Sequence, residues 1–469
     1  MNNFSFFDFV NDISEFNLSD DQSNAVRSFE LFLRPSDNKK IFILSGYAGT
    51  GKSTLTSLLN KGVKKTGAKT RLLAPTGRAA KVLALFCSQK AHTIHKEIYF
   101  GGSQLEEIKK LAPVKNIHKN TIFFIDEASM LSSYSETKED VFTDLLNFVL
   151  SSKSCKIVFI GDAGQLPPVG QELSPALQGK TLKRIFPLME IQECHLKETH
   201  RTHQFSSILK NATKIRTLKT IEQPLINFID ESTLSIKGFE VHEKIENSYA
   251  EVGVENTIVL TLSNKQANQW NTGIRKTLFF REDIIEKGET LLVIKNNYFW
   301  INPTSPMGFL ANGEVICVER IIKYEKMYNR DFARIEVCFP SYPDLQNKEV
   351  LILLETLTIE TASLGREKMK ELFFEIEKDY LHISNKQMRY REILNNSYFN
   401  AIHVKYGYAS TVHKAQGGQW PHVYIDGSFI PDAMNDKSYL RWLYTAITRS
   451  KNKLFLVNFS DSFFSKKSM

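Results

Sequence analysis

Cysteine is scarce in this chain of 469 residues: there are 5, at Cys87, Cys155, Cys194, Cys317 and Cys338. The number is odd, the spacing is wide and no C-x-x-C pair occurs. That excludes a disulfide framework and points to a reducing compartment. No run of about 18 apolar residues exists, so no membrane-spanning helix is expected. The opening stretch MNNFSFFDFVNDISEF carries Asp and Glu but no Lys or Arg, unlike a secretory signal. The expected location is therefore cytoplasmic. Pro-rich linkers, low-complexity tracts and internal repeats are also lacking.

What is there is ordinary globular material, 42% hydrophobic and 24% charged. At roughly 100–200 residues per domain, the length implies two to four domains. The net charge of +8 and pI of about 8.9 lean mildly towards polyanions. Charge alone does not separate that from a chance excess.

NLSDDQSNAVRSFELFL reads as a helix, capped by Ser19 with Gln22 in the capping-box position. KKIFILSG is a short apolar strand, followed by a Gly-rich turn and the helix KSTLTSLLNKGVKK. TRLLAPT and GRAAKVLALF repeat the strand–helix order; TIFFIDEAS and CKIVFIGD add two strands. Such alternation predicts a parallel sheet. A second alternating block begins at NTIVLTLSNKQANQWNTGIRKTL and is completed by HVYIDGSF, LYTAITRS and NKLFLVNF. Between them, EVICVERIIKYEKMYNRDFARIEVCF alternates with period two and predicts a small antiparallel unit. In REKMKELFFEIEKDYL, Met369, Leu372, Phe373, Ile376 and Tyr380 share one helical stripe, explained by packing.

GYAGTGKS, Gly46 to Ser53, fits G-x-x-x-x-G-K-[ST] between a strand and a helix. Its backbone N–H groups and the helix N-terminus suit phosphates. Gly46, Ala48, Gly49, Thr50, Gly51, Lys52, Ser53 and Thr54 are the predicted nucleotide site. Lys52 reaches the outer phosphates and Ser53 serves as a Mg²⁺ ligand. Asp126 ends an apolar strand, where a carboxylate needs a cation, and is the second Mg²⁺ candidate. Glu127, beside it, is placed to activate the attacking water. Charge developing on the phosphoryl group calls for arginine, and Arg201 and Arg449 are the candidates. Gln165, in IGDAGQLPPV, is a candidate phosphate sensor. Cys194, His195, His200 and His203 imitate a zinc site, but adjacent Cys194 and His195 fit no zinc spacing.

The ordered set GYAGTGKS, APTGRAA, TIHK, IDEAS, GDAGQLPPV, LKETHR, STVHKAQG and LYTAITRSK resembles a superfamily 1 helicase. The nearest resemblance is to the RecD/Dda-like branch, which moves 5′ to 3′ on single-stranded DNA. The lack of a long segment before Gln22 favours the compact Dda type. The resemblance implies an α/β fold of two RecA-like P-loop NTPase domains with ATP and Mg²⁺ in the cleft between them. A small β-hairpin insertion is expected in the first domain, and an SH3-like β plus helical insertion in the second. The implied boundaries are 1–215 for the first domain, with the insertion at about 96–120. The second domain takes 216–302 and 398–469, and its insertion 303–397.

By the same resemblance Gln22 contacts adenine. Gln165, Arg201, Gln416, Gly417 and Arg449 sense phosphates, with Arg201 and Arg449 acting from the second domain. Thr76, Arg78, Thr93 and His95 in the first domain and Thr261, Asn264, Thr411 and His413 in the second form a track for the DNA backbone. Tyr99 and Phe100, in KEIYFGGSQLEE, are candidates for a strand-separating wedge, with core packing as the favoured reading. The expected activity is ATP-dependent separation of forked or tailed duplex DNA by a monomer, with no membrane partner. A DNA-stimulated translocase that strips proteins shares every catalytic residue and stays open. A non-enzymatic accessory subunit is disfavoured by the intact Lys52, Asp126 and Glu127.

Overall fold

The structure is a computed structural model. It describes all residues except 1–4, 36–38, 100–112, 134–139, 153, 169, 200–206, 222–224, 228, 362, 429–433, 435 and 466–469. The chain divides into two compact units, the first reaching Leu209 and the second running on from Lys210. The expected boundary at 215 therefore moves back to 209.

Six strands build the first sheet: β1 (Lys40–Gly46), β2 (Lys69–Ala74), β3 (Ala91–Thr93), β4 (Thr121–Ile125), β5 (Lys156–Gly161) and β6 (Glu190–Leu196). Their order is β3-β2-β4-β5-β1-β6 and every pairing is parallel. The central strands read as unbroken apolar runs because both sheet faces are covered. Helix Asp20–Leu33 starts with the predicted capping box: Ser19 Oγ accepts from Gln22 N–H, and Gln22 Oε1 accepts from Ser19 N–H. Its Phe29 ring meets Phe42 edge-on at 5.1 Å and Phe6 at 5.6 Å. Phe6, Phe29, Phe32, Phe42 and Phe124 are all buried, each burial contributing roughly 1.5–3 kcal/mol. Helix Phe6–Asp12 lies so close to helix Lys52–Lys65 that a Cβ at Gly62 would stand 2.7 Å from the Phe6 ring.

The second unit contains β7 (Thr233–Ile236), β8 (Thr257–Thr261), β9 (Thr290–Val293), β10 (Val315–Met327), β11 (Arg330–Cys338), β12 (Lys348–Leu353), β13 (Ile402–Tyr406), β14 (Ala409–Thr411), β15 (Trp420–Asp426) and β16 (Ser450–Val457). A parallel sheet runs β14-β8-β15-β16-β7, and a closed barrel runs β10-β11-β12-β13-β9. The insertion expected at 303–397 is thus a barrel extending from β9 to β13. Those two strands resemble sheet strands in sequence, yet they pair with each other and with β10 and β12. Leu291, Val293, Ile316, Ile335, Val350, Ile352, Ile402 and Val404 are among its buried side chains. Helices Arg366–Asp379 and Lys386–Leu394 cover Phe332, Leu351 and Leu353 with Met369, Leu372, Phe373 and Ile376. Among the described residues no helix is long and apolar enough to cross a membrane.

Candidate active site

Parallel strands put all their C-terminal ends on one edge. In the first unit that edge carries Gly46 to Lys52 after β1, Thr76 after β2, Thr93 at the end of β3, Asp126 and Glu127 after β4, and Asp162 to Gln165 after β5.

The loop after β1 turns through left-handed Gly49 (φ 84°) and Gly51 (φ 80°), and Gly51 caps helix Lys52–Lys65. The positive φ at Gly51 calls for glycine, and a Cβ there would also displace the Gln22 amide, whose Nε2 would stand 2.7 Å away. Gln22 is buried and donates to the Thr50 carbonyl at 3.2 Å. Lys52 Nζ donates to the Gly46 and Tyr47 carbonyls at 2.7 and 2.8 Å, which holds the ammonium at the loop. Thr50 Oγ1 donates to the Tyr47 carbonyl. Ser53 and Thr54 occupy the first turn of the helix.

Burial first, and the Glu127 carboxylate second, push the Asp126 carboxyl up to about 7, while the Glu127 backbone N–H and Lys52 draw it down. A buried carboxyl held this high lacks enough cationic charge around it. Asp126 and the Ser53 hydroxyl are hard oxygen donors of the kind Mg²⁺ takes, so the residues fit that ion. Glu127 adopts φ 51°, a left-handed conformation uncommon for a glutamate, and its N–H donates to Asp126 Oδ1 at 2.9 Å. Ser174 Oγ hydrogen-bonds the Ala128 and Leu131 carbonyls, both at 2.7 Å, and fixes the turn after Glu127. Gln165 Oε1 and Ser129 Oγ are buried without a hydrogen-bond partner among the described residues. Gln165 lies in a loop and Ser129 in the short 3₁₀ turn Ala128–Met130, both on this edge, and both are polar atoms with unused capacity.

Of the predicted track, Thr76 Oγ1 accepts from Ala79 N–H and Thr93 Oγ1 from Lys96 N–H, so both hydroxyls cap helices. Arg78 and His95 are half-buried. In the second unit Thr261 and Thr411 are in register on neighbouring strands, and both are buried. Thr261 Oγ1 donates to the Ser263 carbonyl, and Thr411 Oγ1 accepts from Lys414 N–H. Asn264 opens helix Asn264–Thr277, and His413 is exposed. Gln416 is buried, and Gly417 turns with φ 75°. Arg449 is buried beside that turn, donating to the carbonyls of Gly418 and Thr445 and to Thr448 Oγ1.

Two expectations change, and a third falls outside the described residues. Tyr99 is a core residue, not an exposed wedge: it is 3% exposed and its hydroxyl donates to Asp144 Oδ2 at 2.6 Å. Phe100 and most of the insertion at about 96–120 lie outside the described residues. Arg201 also lies outside them, but the strand leading to it, β6, belongs to the first sheet and not the second. The imitation zinc cluster is divided as well. Cys194 packs against the first core, while His195 Nδ1 is 2.9 Å from Ser45 Oγ. Sequence reasoning missed Ser174, which holds the turn after Glu127 and stands in no diagnostic spacing.

Comparison with known proteins adds family evidence. A family model described as an AAA domain matches residues 17–230, and one described as a UvrD-like helicase C-terminal domain matches 406–457. The ATP-dependent DNA helicase dda of Enterobacteria phage T4 is 26% identical over 94% of this chain and 99% of its own length. The RecBCD enzyme subunit RecD of Buchnera aphidicola is 25% identical over 91% of this chain and 71% of its own. Among solved structures, a Bacteroides Pif1 helicase in complex with ADP-AlF3 and ssDNA superposes with a TM-score of 0.51 at 13% identity, covering 97% of this chain and 95% of that one. At that identity the likeness speaks to the fold alone.

Proposed function

We propose that this chain, which belongs to the superfamily 1 DNA helicases of the RecD/Dda-like branch and is an ATP-dependent DNA helicase, hydrolyses ATP at the Gly46–Ser53 loop to move 5′ to 3′ along single-stranded DNA and open forked or tailed duplex. The observation that carries this reading is the shared sheet edge. It gathers the Gly49–Gly51 loop, Lys52, the Asp126–Glu127 pair and the unsatisfied Gln165 amide oxygen.

Ser53 and Asp126 would hold Mg²⁺, which would neutralise charge on the phosphates. Lys52 binds the outer phosphates. Glu127 accepts a proton from the attacking water, its turn held by Ser174. Gln22 supports the loop through Thr50 and keeps one Nε2 hydrogen for adenine. Gln165, Gln416 and Gly417 sense the phosphates, and Arg201 and Arg449 stabilise charge developing in the transition state. Arg78, His95, Asn264 and His413 contact the DNA backbone, while Thr76, Thr93, Thr261 and Thr411 hold the turns that present it. The protein works as a monomer in the cytoplasm.

The deciding experiment is ATP-driven separation of two duplexes, one with a 5′ tail and one with a 3′ tail. Opening of only the 5′-tailed duplex is expected. Opening of only the 3′-tailed one overturns the polarity. Hydrolysis stimulated by single strands with neither duplex opened replaces unwinding by translocation.

A further inference from the structure

The barrel brings two of the five cysteines side by side. Cys317 on β10 and Cys338 on β11 stand directly opposite each other in the antiparallel ladder. Strand alternation settles which way they face. Ile316 and Val318 on β10, and Val337 on β11, are buried in the barrel core. Cys317 and Cys338, in the alternate positions, therefore lie on the outer face, and each is half-buried. Opposite residues of an antiparallel pair share a face, with Cα atoms about 4.5–5.5 Å apart. That lies within the about 4.4–6.8 Å that a disulfide spans.

The surroundings give the two thiols different roles. Thr290, which pairs with Cys317 from β9, has its Oγ1 3.9 Å from Cys317 Sγ. Burial pushes both thiols up, Cys338 to about 12. Hydrogen bonds from the Thr290 hydroxyl and the Cys338 thiol draw Cys317 back down, whereas the Glu319 carboxylate keeps the proton on Cys338. Cys317 is thus the thiol that ionises first. The other three cysteines are set differently: Cys87 and Cys155 are buried in the first unit, and Cys194 stands opposite Leu44.

We propose that Cys317 and Cys338 are a redox-modification site, which a small disulfide of the glutathione type converts to a reversible cross-strand disulfide. The Cys317 thiolate attacks one sulfur of oxidised glutathione. A mixed disulfide forms at Cys317, and one glutathione thiolate leaves and takes up a proton. Cys338 then loses its proton to water and attacks Cys317 Sγ, displacing the second glutathione, which is protonated in turn. Two protein thiols are oxidised to one disulfide, one oxidised glutathione is reduced to two thiols, and no net proton is gained or lost. The ladder holds opposite Cβ atoms about 4.5–5.5 Å apart, against about 3.5–4.5 Å in a relaxed disulfide. The new bond is therefore strained and reduces readily. The dithiol is the resting form in a reducing compartment, and the disulfide is the form under oxidising conditions. The proposal does not depend on the reading of the ATP site.

The test incubates the full chain with oxidised glutathione at mildly alkaline pH, then blocks remaining thiols with N-ethylmaleimide. Unreduced peptides are mapped by mass spectrometry for the parent, Cys317→Ser, Cys338→Ser and Cys194→Ser. In the parent, the expected main product is a Cys317–Cys338 linked peptide that has lost two hydrogens, within one chain. Dithiothreitol should return both thiols. Cys338→Ser should stop at the mixed disulfide, with one glutathione on Cys317. Cys317→Ser should gain little glutathione on Cys338, the thiol that holds its proton. Cys194→Ser should form the linked peptide as the parent does.

Free Cys317 and Cys338 in the parent after this treatment overturn the proposal. So does a parent that carries glutathione on either residue without closing the link, or one that links only between two chains. A link that survives dithiothreitol refutes its reversibility. Equal glutathione uptake by Cys317→Ser and Cys338→Ser refutes the assignment of Cys317 as the attacking thiol.

Discussion

The Tyr408 hydroxyl donates a 2.7 Å hydrogen bond to Glu289 Oε1, a carboxylate with no exposed surface. Arg281 Nη1 donates to the same oxygen at 3.0 Å, and Arg275 Nε to the other at 3.0 Å. Tyr408 lies between β13 and β14, and Glu289 immediately precedes β9. The network therefore sits where the barrel joins the second sheet, just ahead of the STVHKAQG turn. Removing the acid strands two guanidinium groups in the interior. Glu289→Ala is expected to destabilise the protein by roughly 3–5 kcal/mol. Tyr408→Phe is expected to cost about 1–3 kcal/mol. Urea unfolding checks both, and a Glu289→Ala midpoint equal to the parent's contradicts the network's role.

At the phosphate loop, Lys52→Ala should abolish ATP turnover while the circular dichroism spectrum and melting temperature stay near the parent's. Lys52 bonds two loop carbonyls at the surface of the site and is not part of the core. Glu127→Gln should still bind ATP and DNA but turn over about 10²–10⁴-fold more slowly, the usual loss when a general base is removed. Parent-like hydrolysis by Glu127→Gln would place the base elsewhere.

Tyr99 offers a sharper test because its burial contradicts a strand-separating role. Its hydroxyl meets Asp144 on helix Val141–Leu150, and its neighbour Ile98 is hydrogen-bonded across the chain to Val114. Tyr99→Phe should destabilise by about 1.5–3 kcal/mol, the range for a hydrogen bond to a charged partner. The ratio of base pairs opened to ATP hydrolysed should not change. A reduced ratio at unchanged stability would restore the wedge assignment.

How much was legible depends on sequence distance. The loop from Gly46 to Ser53 and the Ser19–Gln22 capping box are local, so eight and four residues state them in full. The strand β4 with Asp126 directly after it is legible because an apolar run cannot end in a carboxylate without consequence. The barrel limits were not. Β9 and β13 carry the same apolar pattern as sheet strands, and only their mutual pairing, between Val404 and Val293 for example, assigns them to the barrel. Glu289 is 119 residues from Tyr408. No periodicity connects such partners. For Tyr99 the sequence left a wedge open beside the favoured core packing, since an aromatic in such a stretch reads the same whether it faces solvent or the helix behind it.

The proposed DNA track separates residues that touch phosphates from residues that hold the turns. Arg78 and His413 have accessible surface, whereas Thr93 and Thr261 are buried with their hydroxyls committed to the protein backbone. Arg78→Ala should weaken binding to single strands by a similar factor for oligo(dT) and mixed sequences. It should also lower the slope of log K against log salt by about 1, because one phosphate contact with its released counterion is lost. Thr93→Val should leave that slope unchanged and instead lower stability by about 0.5–2 kcal/mol through the lost helix cap. Fluorescence-anisotropy titrations at several salt concentrations, paired with thermal melts, distinguish the two. A slope change in Thr93→Val at unchanged melting temperature would show that its hydroxyl meets the nucleic acid after all.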